Sequence, residues 1–181
     1  MSVDFLLFIL LTSILIFAAI QDLRFHRIPN LLTYPTMCGA VVYHFVTNGN
    51  EGVLFSTGGL VLGIAILLVP YLLGGMGAGD VKLMGAVGAA LGPKGVFIAL
   101  IFAGIFGGIY ALAVLFLNRQ YAKGFISGFA TSVKTFVVTG HFISVPDPDE
   151  KKKPQLCYGV AIAGGTFIYM FLGLVGHMWV T

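Results

Sequence analysis

The chain has 181 residues, of which 58% are hydrophobic and only 9% charged, with a mean hydropathy of +0.99. Soluble domains carry about 25% charged residues, so this composition excludes a soluble globular domain, a disordered chain and a nucleic-acid-binding module. The net charge of +3 is small, and its meaning lies in where the charges fall along a polytopic membrane chain.

Six apolar stretches follow one another, at about 4–21, 31–47, 53–73, 81–92, 95–117 and 156–179. A membrane span needs about 20 residues. These stretches therefore use most of the chain, and residues 1–181 read as one integral-membrane domain. The first stretch lacks a basic n-region, has Asp4 as its only early charge and carries no cleavage-site pattern, so a retained span is expected. The fourth is short. Gly74 to Gly79 precede it and Gly92-Pro93 end it. Such segments are tolerated at membrane depth only where they face protein or water, which is a first hint of a site. The expected fold is all-α, a polytopic bundle of six transmembrane helices.

Between the fifth and sixth stretches lies the one long connection, about 118–155. Phe125, Ile126, Phe129, Val133, Phe136 and Val137 recur there at helical spacing, with Lys123, Ser127, Thr131 and Lys134 falling largely elsewhere around the helix. This predicts an amphipathic helix on the cytoplasmic membrane surface. The charged run Asp147 to Pro154 follows, and its three lysines suit anionic lipid.

Of the ten Lys and Arg residues, nine fall in or directly beside the first, third and fifth connections. They are Arg24, Arg27, Lys82, Arg119, Lys123, Lys134, Lys151, Lys152 and Lys153, and only Lys94 lies on the other side. The positive-inside rule places those connections in the cytoplasm and both termini outside. Small residues spaced by four, at Gly85/Ala89, Gly88/Gly92, Gly104/Gly108 and Ala161/Gly165, predict close helix packing.

With the outer charges Asp4 and Glu51 and the charged run at 147–154 set aside, two acids remain near the spans. Asp22 sits at the cytoplasmic end of the first, and Asp80 at the cytoplasmic start of the fourth. Each has a bland reading. Asp80 suits an N-cap after a glycine-rich turn, and Asp22 suits a surface pair with Arg24 or Arg27. Two ionisable groups at one membrane level nonetheless point to function. Two carboxyl groups held close cannot both ionise cheaply, so one stays ionised and takes a proton from water while the other donates one. The same pair would serve a small proton-coupled transporter as a relay, although the two halves of the chain do not look like inverted copies. His26, His44, His141 and His177 form no HExxH and no close cluster, so no metal site and no cofactor are expected. Cys38 and Cys157 form no CxxC, and no GxSxG offers a serine nucleophile.

Gly77-Ala78-Gly79-Asp80-Val81-Lys82-Leu83 reads GxGDxKL and resembles the signature of type IV prepilin peptidases, a family of GxGD intramembrane aspartic proteases. Asp22 ahead of Arg27-Ile28-Pro29-Asn30 looks like that family's first motif, and Tyr158 to Gly165 is similar to its last-span segment. The three motifs fall in the family's order along essentially the whole chain. The resemblance implies that Asp22 and Asp80 are the catalytic pair. It also implies that the substrates are pilin-like precursors, whose short basic leader is removed after a Gly at the cytoplasmic face of the inner membrane. Long bacterial members carry an N-terminal domain with paired CxxC motifs linked to N-methylation. This chain begins with span one, so methyltransferase activity is not expected, and it looks most like the compact peptidases of tight-adherence (Flp-type) pili. Supporting or substrate-binding positions are Gly77, Gly79, Lys82, Arg27, Tyr158 and Gly159. Gly77 and Gly79 give backbone room for substrate, take a positive φ or form an ordinary turn. Lys82 tunes Asp80 or meets lipid phosphate, Arg27 serves topology before substrate, and Tyr158 with Gly159 faces the site or packs helices. Membrane lipids are the other expected partners.

Overall fold

The computed structural model describes residues 5–72, 75–117 and 157–180. The amphipathic helix and lysine run expected within 118–155 lie outside these residues. The described part is all-α, with α1 at Phe5–Phe25, α2 at Asn30–Leu72, α3 at Ala78–Leu117 and α4 at Tyr158–Val180. Three of these helices contain stretches long and apolar enough to cross a membrane: Leu7–Phe25, Asn30–Leu72 and Ala78–Ala113. The stretch Tyr158–Gly173 is shorter and also apolar.

The turns between helices follow from local chemistry. α1 runs past its expected end at residue 21, so Asp22 lies inside its last turn and not beyond it. The helix stops at His26, whose φ is +49° and whose N–H donates to the Asp22 carbonyl at 2.9 Å. That is a left-handed C-terminal cap of the kind glycine usually supplies. Pro29 then precedes α2, and its carbonyl accepts from Leu32 N–H at 3.0 Å.

α2 and α3 are each interrupted once. The expected gap at residues 48–52 is narrowed to Gly49 (φ 58°), and the one at 93–94 falls one residue earlier, at Gly92 (φ 71°). Both φ values are left-handed and suit glycine. At the second break Pro93 has no N–H to offer the Ala89 carbonyl. Ser56 Oγ donates to that carbonyl instead, at 2.7 Å. His44 Nε2 meets the neighbouring Ala90 carbonyl at 3.0 Å. Ser56 and His44 are both buried, so two carbonyls freed by the break are paired inside the protein. An unpaired buried group would cost about 1–3 kcal/mol.

Beyond Lys82 the first arm of α3 is apolar all round and forms the centre of the core. Leu83, Met84, Val87 and Ala89 are almost fully buried, as expected for a helix surrounded by others. It meets the second arm of α2 at backbone distance, because a Cβ on Gly88 would overlap the Gly59 carbonyl and one on Gly63 would crowd Met84. Gly165 of α4 likewise sits against the backbone of Ala103. These contacts follow the small-residue spacing read from the sequence. Gly104 departs from it, with open space where its side chain would be among the described residues. The outer faces are apolar and exposed, as at Ile9, Ile16, Phe17 and Ile20 of α1, a surface suited to lipid. Beyond Gly107, α3 passes into a second compact unit, Gly108–Leu156, of which residues 108–117 are described.

Candidate active site

The end of α1, the turn into α2 and the start of α3 line an open cavity of about 440 Å³. Asp22 and Asp80 both line it, with His26 to Asn30 on one side and Gly77 to Gly79 on the other. Each of the two acids is 7% exposed. Residues far apart in sequence thus meet at a site, which the two acid motifs alone had suggested.

Each carboxyl group is held by the backbone of a glycine. Gly159 N–H donates to Asp22 Oδ2 at 2.8 Å. Gly77 N–H donates to Asp80 Oδ2 at 3.1 Å. The second bond changes the bland reading of Asp80. Helix α3 begins at Ala78, so Asp80 is its third residue, not its N-cap, and its side chain reaches back to the N–H ahead of the helix. That is the carboxylate half of a capping box. The Asp80 N–H closes the same turn on the Gly77 carbonyl at 3.2 Å. Asp22 opposes the dipole of its own helix end, and its partner comes from the first turn of α4.

The glycines act through space and not through φ. Neither Gly77 nor Gly79 has a positive φ; among the described glycines only Gly49 and Gly92 do. A Cβ on Gly79 would stand 3.1 Å from Ile28 Cβ, so Gly79 lets the start of α3 approach the turn after α1. A Cβ on Gly159 would stand 2.9 Å from Asp22 Oδ2. Gly159 must be bare for its N–H to reach the carboxylate.

The other expected positions divide. Arg27 lines the cavity and is exposed. Lys82 turns to the start of α2, where Nζ donates to Asn30 Oδ1 at 2.8 Å and lies 5.1 Å from the centre of the Tyr34 ring. Tyr158 is half-buried and does not line the cavity. Two site neighbours were not among the expected residues. Cys157 Sγ lies 3.5 Å from His26 Nδ1 and 3.9 Å from the Asp22 carbonyl. A histidine four residues after the acid, at a helix end before Ile28-Pro29, was the available signal. Among the described residues no three His, Cys, Asp or Glu side chains gather as a metal-binding group.

Apolar helices that place two acids in one cavity define a membrane protein with a pair of carboxyl groups at a helix-end site. The Type IV leader peptidase family matches residues 9–112, more than half of the chain, and the chain belongs to that family. The matched residues include both acids but stop short of Tyr158 to Gly165, a narrower reach than the three motifs suggested. A prepilin leader peptidase/N-methyltransferase of Bacillus subtilis (strain 168) is 29% identical over 110 residues, covering 59% of this chain and 44% of that protein. Proteins of the same name from Aeromonas salmonicida (strain A449) and Aeromonas hydrophila are each 30% identical over 119 residues, covering 62% of this chain and 41% of theirs. The chain therefore spans less than half the length of these curated relatives. No solved structure matches it.

Proposed function

We propose that the protein is a membrane aspartic endopeptidase that removes the leader of pilin-like precursors, with Asp22 and Asp80 as its catalytic pair. The observation that carries this reading is the shared cavity. Two acids from separate helices line it, and each is steadied by one glycine N–H. One carboxylate takes a proton from water, and the resulting hydroxide adds to the scissile carbonyl carbon. The other, protonated, gives its proton to the carbonyl oxygen, forming a tetrahedral diol. Proton return to the amine then breaks the C–N bond. With Oδ2 of each acid engaged by backbone, the remaining oxygens are the ones left for water and substrate.

In this reading the chain crosses the membrane six times, the breaks at Gly49 and Gly92 serving as reversals. The cavity faces the cytoplasm, and both termini lie outside. The support is the bias of nine among ten basic residues, and a basic leader would meet the acids on that side. The substrates of a tight-adherence (Flp-type) pilus are the nearest fit by resemblance. N-methylation, which also appears in the relatives' names, is not part of the proposal.

The test is co-expression with pilin-like precursors, reading leader loss by gel shift and the new N-terminus by sequencing. Cleavage after a Gly is expected. Asp22→Asn and Asp80→Asn keep the side-chain shape and should each lower cleavage by about 10³-fold or more while the protein still inserts. Near-normal processing by either inserted variant removes that residue from the pair.

A further inference from the structure

His26 occupies a conformation that works against its residue type. Its φ of +49° is uncommon for a side chain with a Cβ. The position is a left-handed helix cap, where glycine fits without steric cost. Such outliers are a starting point for functional hypotheses when they sit at a site, and His26 lines the cavity one helical turn after Asp22. From that conformation the imidazole makes a contact. What it reaches is Cys157, 3.5 Å from Nδ1 and only 5% exposed. The Cys157 carbonyl accepts the Val160 N–H at 3.3 Å, which makes Cys157 the residue that opens α4. Two residues later comes Gly159, whose N–H holds the Asp22 carboxylate.

We infer that His26 is a positioning residue for Asp22, acting through Cys157 and the first turn of α4. The inference rests on the reading of Asp22 as one of the reacting pair. The contacts form a closed loop. The end of α1 turns back at His26, the imidazole docks the start of α4, and the first turn of α4 returns an N–H to Asp22. Which of the thiol and Nδ1 donates depends on the imidazole tautomer, and either way the bond is weak. Its value is geometric, because the Gly159 N–H is useful only while α4 stays seated on α1. If His26 served only to cap α1, its replacement would leave Cys157 as protected from alkylation, and cleavage as fast, as before. At this φ, His26→Gly would relieve the backbone and leave the protein as stable or more stable.

The experiment uses the full chain in lipid vesicles, on a Cys38→Ser background, since Cys38 is exposed and would itself react. The first arm reads the alkylation rate of Cys157 by N-ethylmaleimide. His26→Gly should raise that rate roughly tenfold by freeing the start of α4, with the thermal midpoint unchanged or higher. The second arm reads cleavage kinetics. His26→Gly and Cys157→Ala should each lower kcat roughly tenfold at unchanged KM. The double variant should be no worse than either single one, because both break the same contact. An unchanged alkylation rate overturns the inference. So does a Cys157→Ala variant of full activity beside a slow His26→Gly, which would assign His26 a direct part in proton transfer. Additive losses would overturn it too. A wild-type chain that cleaves no precursor defeats the proposed function, and the alkylation arm still decides whether His26 seats α4.

Discussion

At the Gly92 end of the first arm of α3, Ser56 and His44 hand their donors to the Ala89 and Ala90 carbonyls, and the polar groups are buried against backbone. At the Asp80 end of the same arm, the direction reverses. There the backbone donates and the side chain accepts, through Gly77 to Asp80 and, from α4, Gly159 to Asp22. A side chain that donates to a freed carbonyl repairs a helix break and finishes there. A carboxylate has more accepting capacity than one N–H can fill, so a single backbone donor orients it without exhausting it. Both ends depend on glycine. One end uses it to turn the chain and to press helices together, and the other to bring an N–H within reach of an acid.

The sharpest way to break this comparison is the same small change at each end. Gly159→Ala places a methyl 2.9 Å from Asp22 Oδ2. The acid swings away, and kcat should fall about 10- to 100-fold, with folded yield near normal. Gly88→Ala places its methyl against the Gly59 carbonyl, which is backbone and cannot swing. Folded yield should fall there, while the protein that does fold keeps its turnover. The measurements are single-turnover cleavage and the recovered monodisperse fraction in detergent. If Gly159→Ala lost yield and kept turnover, the two ends would not differ in kind.

A smaller effect is expected from Ser56→Ala. Removing the hydroxyl leaves the Ala89 carbonyl buried and without its donor, at a cost of about 1–3 kcal/mol of stability. Thermal unfolding should shift downward, and cleavage per folded molecule should stay within about twofold, since a distant structural change leaves transition-state contacts untouched. A large loss of turnover at unchanged stability would show that the repaired break communicates with Asp80.

Much of this was legible in the sequence because apolar runs are long and acids are few. The helices lie where the apolar stretches predicted them, to within a few residues. The joins were misread for a definite reason. Asn48, Asn50 and Glu51 look like loop residues, yet a helix needs only one non-helical residue to change direction, and Gly49 is that residue. Asp22 and Asp80 were found as the acids beside spans at the cytoplasmic level, once the outer Asp4 and Glu51 and the charged run at 147–154 are set aside, and their common cavity follows from the helix ends that carry them. The role of Asp80 in its own helix was misplaced by three residues, because the start at Ala78 depends on Gly77 and its bond to the carboxylate. The His26–Cys157 contact joins positions 131 apart, and no local pattern encodes a pairing across so long a connection. Lys82 was read as facing either Asp80 or lipid, since its spacing from Asp80 says nothing about where a long side chain folds back.

Lys82 offers the smallest effect and the finest test of where site geometry ends. Its ammonium donates to Asn30 Oδ1 at 2.8 Å and stands over Tyr34, and Asn30 lines the cavity. The contact ties the starts of α2 and α3, which are the two sides of the site. It is exposed, so the cation–ring term is worth about 0.5–1 kcal/mol, and water competes for the Asn30 bond. Lys82→Met should therefore raise KM by no more than about fivefold with little change in kcat, that being the size of a 1 kcal/mol effect. Lys82→Arg keeps a donor and a cation over the ring, and should restore most of the loss. Asn30→Ala should reproduce the Lys82→Met effect and add little to it. The competing reading, contact with lipid phosphate, predicts another pattern. In vesicles of phosphate-free glycolipid, the gap between wild type and Lys82→Met would close, because the phosphate partner has been removed. A gap that persists in those vesicles and vanishes in the Asn30→Ala background assigns Lys82 to the wall of the cavity.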